Sequence, residues 1–283
     1  MKAEKALQIT PELEAKWRRL EEILRPLGRV AVAFSGGVDS SLVLKVAHDV
    51  LGDGVLALIG DSPSLPRREL REALNLAATI GVRVRVVPTD EVDDPAYAAN
   101  PAHRCYVCKH HVYGSFRRVA RAEGIPYILD GANADDVGDF RPGRRAAREL
   151  EIRSPLWEAG LTKADVRALA RFLGLPNWDK PAAACLSSRV PYGTPITREV
   201  LRRVERAEDA LHALGFRQLR VRHHEHVARI EVPTEEFPRV LALREEIVRA
   251  VRTAGYTYVT LDLVGFRSGS SNEVLSTQVR EAV

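Results

Sequence analysis

One stretch, Val30-Ala-Val-Ala-Phe-Ser-Gly-Gly-Val-Asp-Ser-Ser-Leu-Val-Leu-Lys45, limits what this chain can fold into more than any other. Residues 30–34 have the length and β-branched content of a buried strand, and the run stops at Ser35-Gly36-Gly37. From Asp39 the apolar residues recur at helical spacing, with Leu42, Val43, Val46 and Ala47 on one face. A strand that turns through two glycines into a helix lets the backbone approach a ligand closely. The free N–H groups and positive dipole end of that helix then favour phosphate. Ser35, Ser40 and Ser41 add hydroxyl groups. Asp39 suits an anion site only if a divalent cation arrives with the phosphates, because a bare carboxylate repels polyphosphate. The stretch is neither a Walker A loop, having no Gly-x-x-x-x-Gly-Lys-Ser/Thr, nor a dinucleotide Gly-x-Gly-x-x-Gly fingerprint.

The flanking sequence repeats the alternation. Strands are expected at 55–59, 82–87 and 127–129, with 151–154 as a last one, and helices at 67–80 and 162–173, the latter opened by Thr162 and Asp165 in a near capping box. Alternating strands and helices imply an α/β fold with a doubly wound parallel sheet. Ligands of such a sheet collect beyond the carboxyl ends of its strands. The Ser35 loop and the Asp61-Ser62-Pro63 loop are therefore expected to line one crevice, with Asp61 on the adenine or ribose side. After Ile196 the order becomes helix (198–214), strand (218–223), strand (228–232), helix (234–254), strand (256–263), a small α+β domain. The expected division is 1–196 and 197–283, the second part serving substrate binding or oligomerisation. Composition excludes other classes. No apolar run approaches the roughly 20 residues of a membrane span. The net charge of +4 comes without a basic run interleaved with aromatics, which argues against a nucleic-acid surface. The charged N-terminal segment is not a signal-peptide core, and a cytoplasmic location is expected.

Three cysteines cannot all pair. Cys105 and Cys108 form a Cys-x-x-Cys in the long polar segment 89–110, read here as a loop leading into a helix, and Cys185 stands far along the chain. Several readings stay open. Three thiolates with one open iron suit a 4Fe-4S cluster. His103, His110 or His111 would complete a zinc site. Redox or sulfur-carrying thiols suit the surrounding arginine, lysine and histidine, which favour thiolate. Three unrelated core residues fit those charged surroundings least. Asn133, Asp135 and Asp136 sit at a strand end and either orient a metal or substrate or cap a helix. Arg220 and Arg222 alternate along one strand face, so both can point to one anion, although a solvated edge strand has the same spacing. Arg267 lies among the glycines and serines of segment 265–272, which suit phosphate.

Ser35-Gly-Gly-Val-Asp-Ser40 resembles the PP-loop of the ATP pyrophosphatase family, whose members bind ATP, transfer AMP to a substrate oxygen and release pyrophosphate. Taken with Asp61-Ser-Pro-Ser64, Asn100-Pro, Arg104-Cys-Tyr-Val-Cys-Lys109, Asp130-Gly-Ala-Asn-Ala-Asp-Asp136, Lys180-Pro-Ala-Ala-Ala-Cys-Leu-Ser-Ser-Arg189 and Gly265-Phe-Arg-Ser-Gly269, nearly the whole chain resembles the LarE family of ATP-dependent sulfur transferases. The resemblance implies adenylylation of a carboxylate of pyridinium-3,5-biscarboxylic acid mononucleotide, followed by sulfur insertion on the way to a nickel-pincer nucleotide cofactor. By the same resemblance, Ser35, Gly36, Gly37, Asp39, Ser40 and Ser41 hold ATP with Mg2+, and Arg220, Arg222 and Arg267 hold the substrate phosphate. Ser188 and Arg189 then stand near the reacting carboxylate. One branch of the family sacrifices a single cysteine, matching Cys185, and the other holds a 4Fe-4S cluster on three. The presence of Cys105, Cys108 and Cys185 together points to the second branch. A homo-oligomer acting on a small molecule is expected, with the sulfur donor unassigned. A tRNA-thiolating relative and a non-enzymatic nucleotide or iron-sulfur sensor are the readings from other classes.

Overall fold

The computed structural model describes residues 9–137, 143–181, 184–267, 269–270 and 273–275. The chain divides into two compact units. The first comprises 1–61, 67–89 and 105–183, and the second 62–66, 90–104 and 184–283. The boundary expected at 196/197 thus falls inside the second unit.

The first unit is built on four strands, β1 (Val30–Ala33), β2 (Val55–Asp61), β3 (Arg83–Pro88) and β4 (Tyr127–Leu129), in the order β3-β2-β1-β4. All three pairings are parallel. The expected strand at 151–154 is reduced to one parallel bridge, between Leu129 and Arg153. Val30, Ala31 and Val32 are fully buried, as a central parallel strand covered on both faces requires. On one face Tyr113, Phe116 and Ala120 of the Arg104–Ala122 helix pack with Leu56, Leu58 and Ile128. The helix after β1, Val38–Leu51, buries the four residues read as its apolar face and Leu44 as well, because the Pro11–Leu24 and Lys163–Phe172 helices both pack against it. The latter starts in a complete capping box, the Thr162 hydroxyl accepting from Asp165 N and the Asp165 carboxylate from Thr162 N. The outer strand β3 turns the exposed side chains of Arg83 and Arg85 outward, which discourages pairing with another chain.

The segment read as a structureless loop from 89 to 110 is ordered into short pieces. A 3-10 turn covers Glu91–Asp93, and a helical turn at Pro95–Ala98 is capped by the Asp94 carboxylate on Ala96 N with proline in its first turn. The long helix already begins at Arg104, so Cys105 and Cys108 stand three apart on one helix face and not on a loop.

The second unit carries a three-stranded sheet, β5 (Arg220–His224), β6 (Val227–Glu231) and β7 (Tyr258–Leu261), in that order. The first pair is antiparallel and the second parallel. Its core joins Leu211, Phe216, Val221, Ile230, Ile247 and Val251. The helix expected over 234–254 is interrupted, as a 3-10 turn at Thr234–Glu236, a short helix Phe237–Ala242 with proline in its first turn, and a helix Arg244–Thr253. Among the described residues no helix is long and apolar enough to cross a membrane.

His223 faces this core, 4% exposed, with Nδ1 3.2 Å from the Tyr256 hydroxyl. Burial, then the Arg203 cation and His224, hold it below its ordinary 6.5, and burial, then Arg229 and Arg222, do the same to His224. The unfolded chain therefore takes up protons at a pH where the folded chain does not, and stability present above about 6.5 is lost as pH falls towards the lower folded values. The thermal midpoint is expected to drop between about pH 7 and 5, with a shallower drop in His223→Phe, measured by calorimetry across that range.

Candidate functional site

The phosphate-type loop lies where the strand order reverses, between β1 and β4, which is the position at which open parallel sheets hold their ligands. Gly36 has a φ of 72°, and a Cβ there would sit 2.9 Å from the Ala73 Cβ, so neither the backbone nor the space admits another residue. Gly37 is the N-cap of the Val38–Leu51 helix, whose first-turn N–H groups have no intrahelical acceptor. The loop is held from inside. Ser40 Oγ donates to Gly37 O (3.1 Å) and Ser41 Oγ donates to the same oxygen (2.8 Å). Asn177 Nδ2 reaches Gly36 O (3.0 Å) and Ser41 Oγ (2.9 Å) from the far end of the unit. Gly131, just beyond β4, approaches so closely that a Cβ would lie 2.7 Å from Ser40 N.

Asp39 projects from the first turn of this helix. One oxygen accepts from Asn133 Nδ2 (3.0 Å) and the other pairs with Lys163 Nζ. The three residues read as metal ligands or caps turn out to be local organisers. Asp136 accepts from Asn133 N (3.0 Å), Asn133 Oδ1 from Asp135 N (3.0 Å), and Asp135 from Lys163 N (2.8 Å), which fixes the start of the Lys163–Phe172 helix. Asp61, at the end of β2, is paired with Arg67. Asp130 accepts from Ser154 Oγ (2.7 Å), Ala132 N (3.1 Å) and the Tyr113 hydroxyl (3.2 Å), and Lys109 Nζ lies 3.2 Å from that hydroxyl. Burial, with Asp130 nearby, pushes Tyr113 up to about 12, and the Tyr113 oxygen and Asp130 hold Lys109 above its ordinary range. Lys180 joins Glu69 (2.6 Å) and Glu72 (2.8 Å). Burial opposes its charge, but the two carboxylates prevail and raise it.

In the second unit Cys185 precedes a 3-10 turn at Leu186–Arg189 and is partly buried. Its carbonyl accepts from Ser188 Oγ (2.8 Å) and Arg189 Nη1 (2.9 Å). Arg189 is 4% exposed and bonds both oxygens of Glu208, each at 2.9 Å. Arg222 likewise takes Glu231 in two bonds (2.9 and 2.8 Å) and donates to Ser188 O (2.8 Å) and Ser270 Oγ (2.7 Å). Arg220 stacks over Phe266, 5.1 Å from the ring centroid, and donates to Leu219 O. Burial first, then the neighbouring cations Arg189 and Arg222, push Arg220 down to about 10. An anion placed there relieves that strain. Arg267 is more exposed and paired with Glu273, both bonds at 3.0 Å. Residues 182, 183, 268, 271 and 272 of the sequence motifs lie outside the described residues.

The structure thus gathers Cys185, Ser188, Arg189, Arg220 and Arg222 in one unit, and Ser35 to Ser41 with Asp39 in the other. Sequence reading missed Lys163, Asn177, Glu208 and Glu231. A signal existed for Glu208, which sits on the apolar face of its helix with Leu201, Val204 and Leu211. Lys163 and Asn177 gave none, since each acts across a long sequence separation. Two substitutions are expected to report on this geometry. Gly131→Ala should push the loop away from β4 and cost about 1–3 kcal/mol by overpacking. Glu208→Ala should strand Arg189 and cost about 3–5 kcal/mol, both read by denaturant unfolding.

The family model described as NAD synthase matches residues 20–104, the span holding the loop and the first three strands. An uncharacterized protein of Synechocystis is 47% identical, the alignment covering 93% of this chain and 99% of the relative. The pyridinium-3,5-bisthiocarboxylic acid mononucleotide synthase of Lactiplantibacillus plantarum is 42% identical over 93% of this chain and 96% of its own length. One component of the glutamine-hydrolyzing GMP synthase of Archaeoglobus fulgidus is 25% identical over 59% of this chain and 56% of its own length. A likeness that runs the full length of the mononucleotide synthase, through both the phosphate-type loop and the cysteine-arginine cluster, shows that the chain belongs to the LarE family of PP-loop proteins.

Proposed function

We propose that this chain is an ATP-dependent, AMP-forming sulfur transferase that converts carboxylates of a pyridinium-3,5-biscarboxylic acid mononucleotide to thiocarboxylates. The observation that carries the reading is the full-length likeness to a synthase named for the bisthiocarboxylic product. The loop at the switch point supports the use of ATP. A carboxylate oxygen attacks the α-phosphorus, the bond to pyrophosphate breaks, and an acyl adenylate results. A sulfur nucleophile then adds to the activated carbonyl and AMP leaves with the former carboxylate oxygen. Activation is needed because the oxygen of a free carboxylate is a poor leaving group.

Ser35, Gly36, Gly37, Ser40 and Ser41 hold the phosphates in this reading. Asp39 offers a carboxylate suited to Mg2+, which on binding neutralises phosphate charge. Lys163, now paired with Asp39, supplies a cation to the same phosphates once the metal takes the carboxylate. Asp61 belongs to the nucleoside end. In the second unit Arg220 takes the substrate phosphate with Arg222, whose carboxylate partner Glu231 fixes its orientation, and Arg267 adds a peripheral cation. Ser188 and Arg189 order the backbone at Cys185 beside the reacting carboxylate.

The proposed sulfur carrier is a 4Fe-4S cluster on Cys105, Cys108 and Cys185. The donor set supports it, because three thiolates with one open iron suit such a cluster and two of these cysteines share one helix face. Among the described residues no three His, Cys, Asp or Glu side chains form a ready-made metal group.

Chromatography of the products should show AMP and pyrophosphate. ADP with orthophosphate would overturn the reading. Asp39→Asn and Lys163→Ala are each expected to slow ATP cleavage by about 100-fold, the scale of losing one preorganised charge at a transferring phosphoryl group. Arg220→Ala should weaken binding of the mononucleotide while ATP affinity stays unchanged by calorimetry. Anaerobic reconstitution should load about four irons per chain, lost in each single Cys→Ala variant. Absence of iron together with loss of about 34 Da from Cys185 after turnover would replace the cluster by a sacrificial cysteine.

A further inference from the structure

We infer that Asn100 is a positioning residue for the Cys185 segment: its buried carboxamide gathers the backbone that follows the 3-10 turn and holds the cysteine's loop in one shape. Asn100 has no exposed surface and adopts a left-handed φ of 55°, a conformation that asparagine tolerates better than most residues. Its Nδ2 lies 2.7 Å from Pro191 O, 3.0 Å from Thr194 O and 3.3 Å from Val190 O. Two hydrogens therefore serve three carbonyls, the two nearer ones best. Its Oδ1 accepts from Arg104 Nη1 at 2.6 Å, and its own carbonyl accepts from Gly193 N at 3.0 Å. Arg104 in turn lies over the Tyr192 ring, 4.6 Å from the centroid. Asn100, through its side chain and its carbonyl, and Arg104 thus contact every residue of the turn from 190 to 194.

That turn is one end of a clamp. At the other end Leu186 N donates to Ser64 O (2.8 Å), and the Tyr97 and Ser187 hydroxyls meet at 2.6 Å in the interior. Ser188 lies between these anchors and Cys185 directly precedes the first of them, and every anchoring group belongs to the same unit. The anchors sit on the segments 62–66 and 90–104, which carry none of the groups assigned to sulfur chemistry. Their insertion into this unit is explained if they template the cysteine loop. A reacting atom displaced by about 1 Å costs up to about 100-fold in rate, so fixing the segment that begins at Cys185 matters to transfer even though Asn100 acts only through the backbone that follows it.

The test uses Asn100→Gly, which keeps the left-handed backbone and deletes only the carboxamide, and Tyr97→Phe, which deletes one hydroxyl from the other anchor. Three readouts are taken on the full chain. These are ATP–pyrophosphate exchange with the mononucleotide present, thiocarboxylate formation in a single turnover, and the rate of iodoacetamide alkylation of each cysteine by peptide mass spectrometry. The activity arm rests on the sulfur-transfer reading. The expected result for Asn100→Gly is thiocarboxylate formation slowed by about 10- to 100-fold with exchange within about twofold of wild type. In the iron-free chain, alkylation of Cys185 should rise several-fold while Cys105 and Cys108 react as before. Tyr97→Phe should shift both the same way by a smaller factor. Unchanged Cys185 alkylation and transfer in both variants would overturn the proposal, as would equal losses of exchange and transfer accompanied by a lowered thermal midpoint. If wild type makes no thiocarboxylate, the functional reading fails by itself, and the alkylation arm still decides whether Asn100 holds the loop.

Discussion

The parallel pairing of β1 between β2 and β4 is the constraint on which the first unit depends. β1 is four residues long, buried on both faces, and hydrogen-bonded on both edges. Its chain must therefore leave at the carboxyl end, beside a strand that leaves from the same end. Two loops then compete for one small space, and glycine resolves the conflict on each side, Gly36 by its positive φ and Gly131 by its missing side chain. The helix that follows β1 is packed on both sides, so the loop cannot relax by tilting it. The shape of the Ser35–Ser41 loop is thus a consequence of burial and topology as much as of the serines that line it.

The second unit solves a different problem, that of holding three guanidinium groups together away from water. Arg189 and Arg222 each meet a buried carboxylate in a two-bond fork, which offsets part of the desolvation cost. Arg220 has its charge opposed by burial and by those same neighbours. A fold selected for stability alone gains little from such an arrangement, since a hydrophobic replacement of a buried ion pair is often as stable. In the proposed function the cluster serves as a preorganised anion site, with Glu208 and Glu231 fixing the forks of Arg189 and Arg222. Arg189 also spends two donors on the backbone around Cys185, so the electrostatics of the cluster and the shape of the cysteine loop are set by the same side chain.

The parallel α/β layer, the loop, the capped helix at Thr162 and the second sheet were all legible in the sequence, because each depends on neighbours within about a dozen residues. Hydrophobic period, glycine position and capping chemistry are local quantities. The family was legible for the same reason, its motifs being short runs carried in order along the chain. Besides the strand expected at 151–154, which is only a single bridge, two local readings erred. The segment before Cys105 lacks a period and reads as a loop, yet proline and aspartate caps order it into short turns, and helix begins at Arg104. The 234–254 helix was read through its interruption at Leu243 because apolar spacing continues across it.

Tertiary structure alone decided which charges meet. Asp39 with Lys163, Asn177 with the loop, Arg189 with Glu208 and Asn100 with the turn after Cys185 join residues separated by 124, 136, 19 and 90 to 94 positions. No periodicity encodes such partners, since a polar side chain carries the same local signal whether it faces water or a buried carboxylate. The sequence determined the layers and the reactive groups. The long-range packing determined which of those groups are held, because only closure of the core fixes the distances over which hydrogen bonds and ion pairs act.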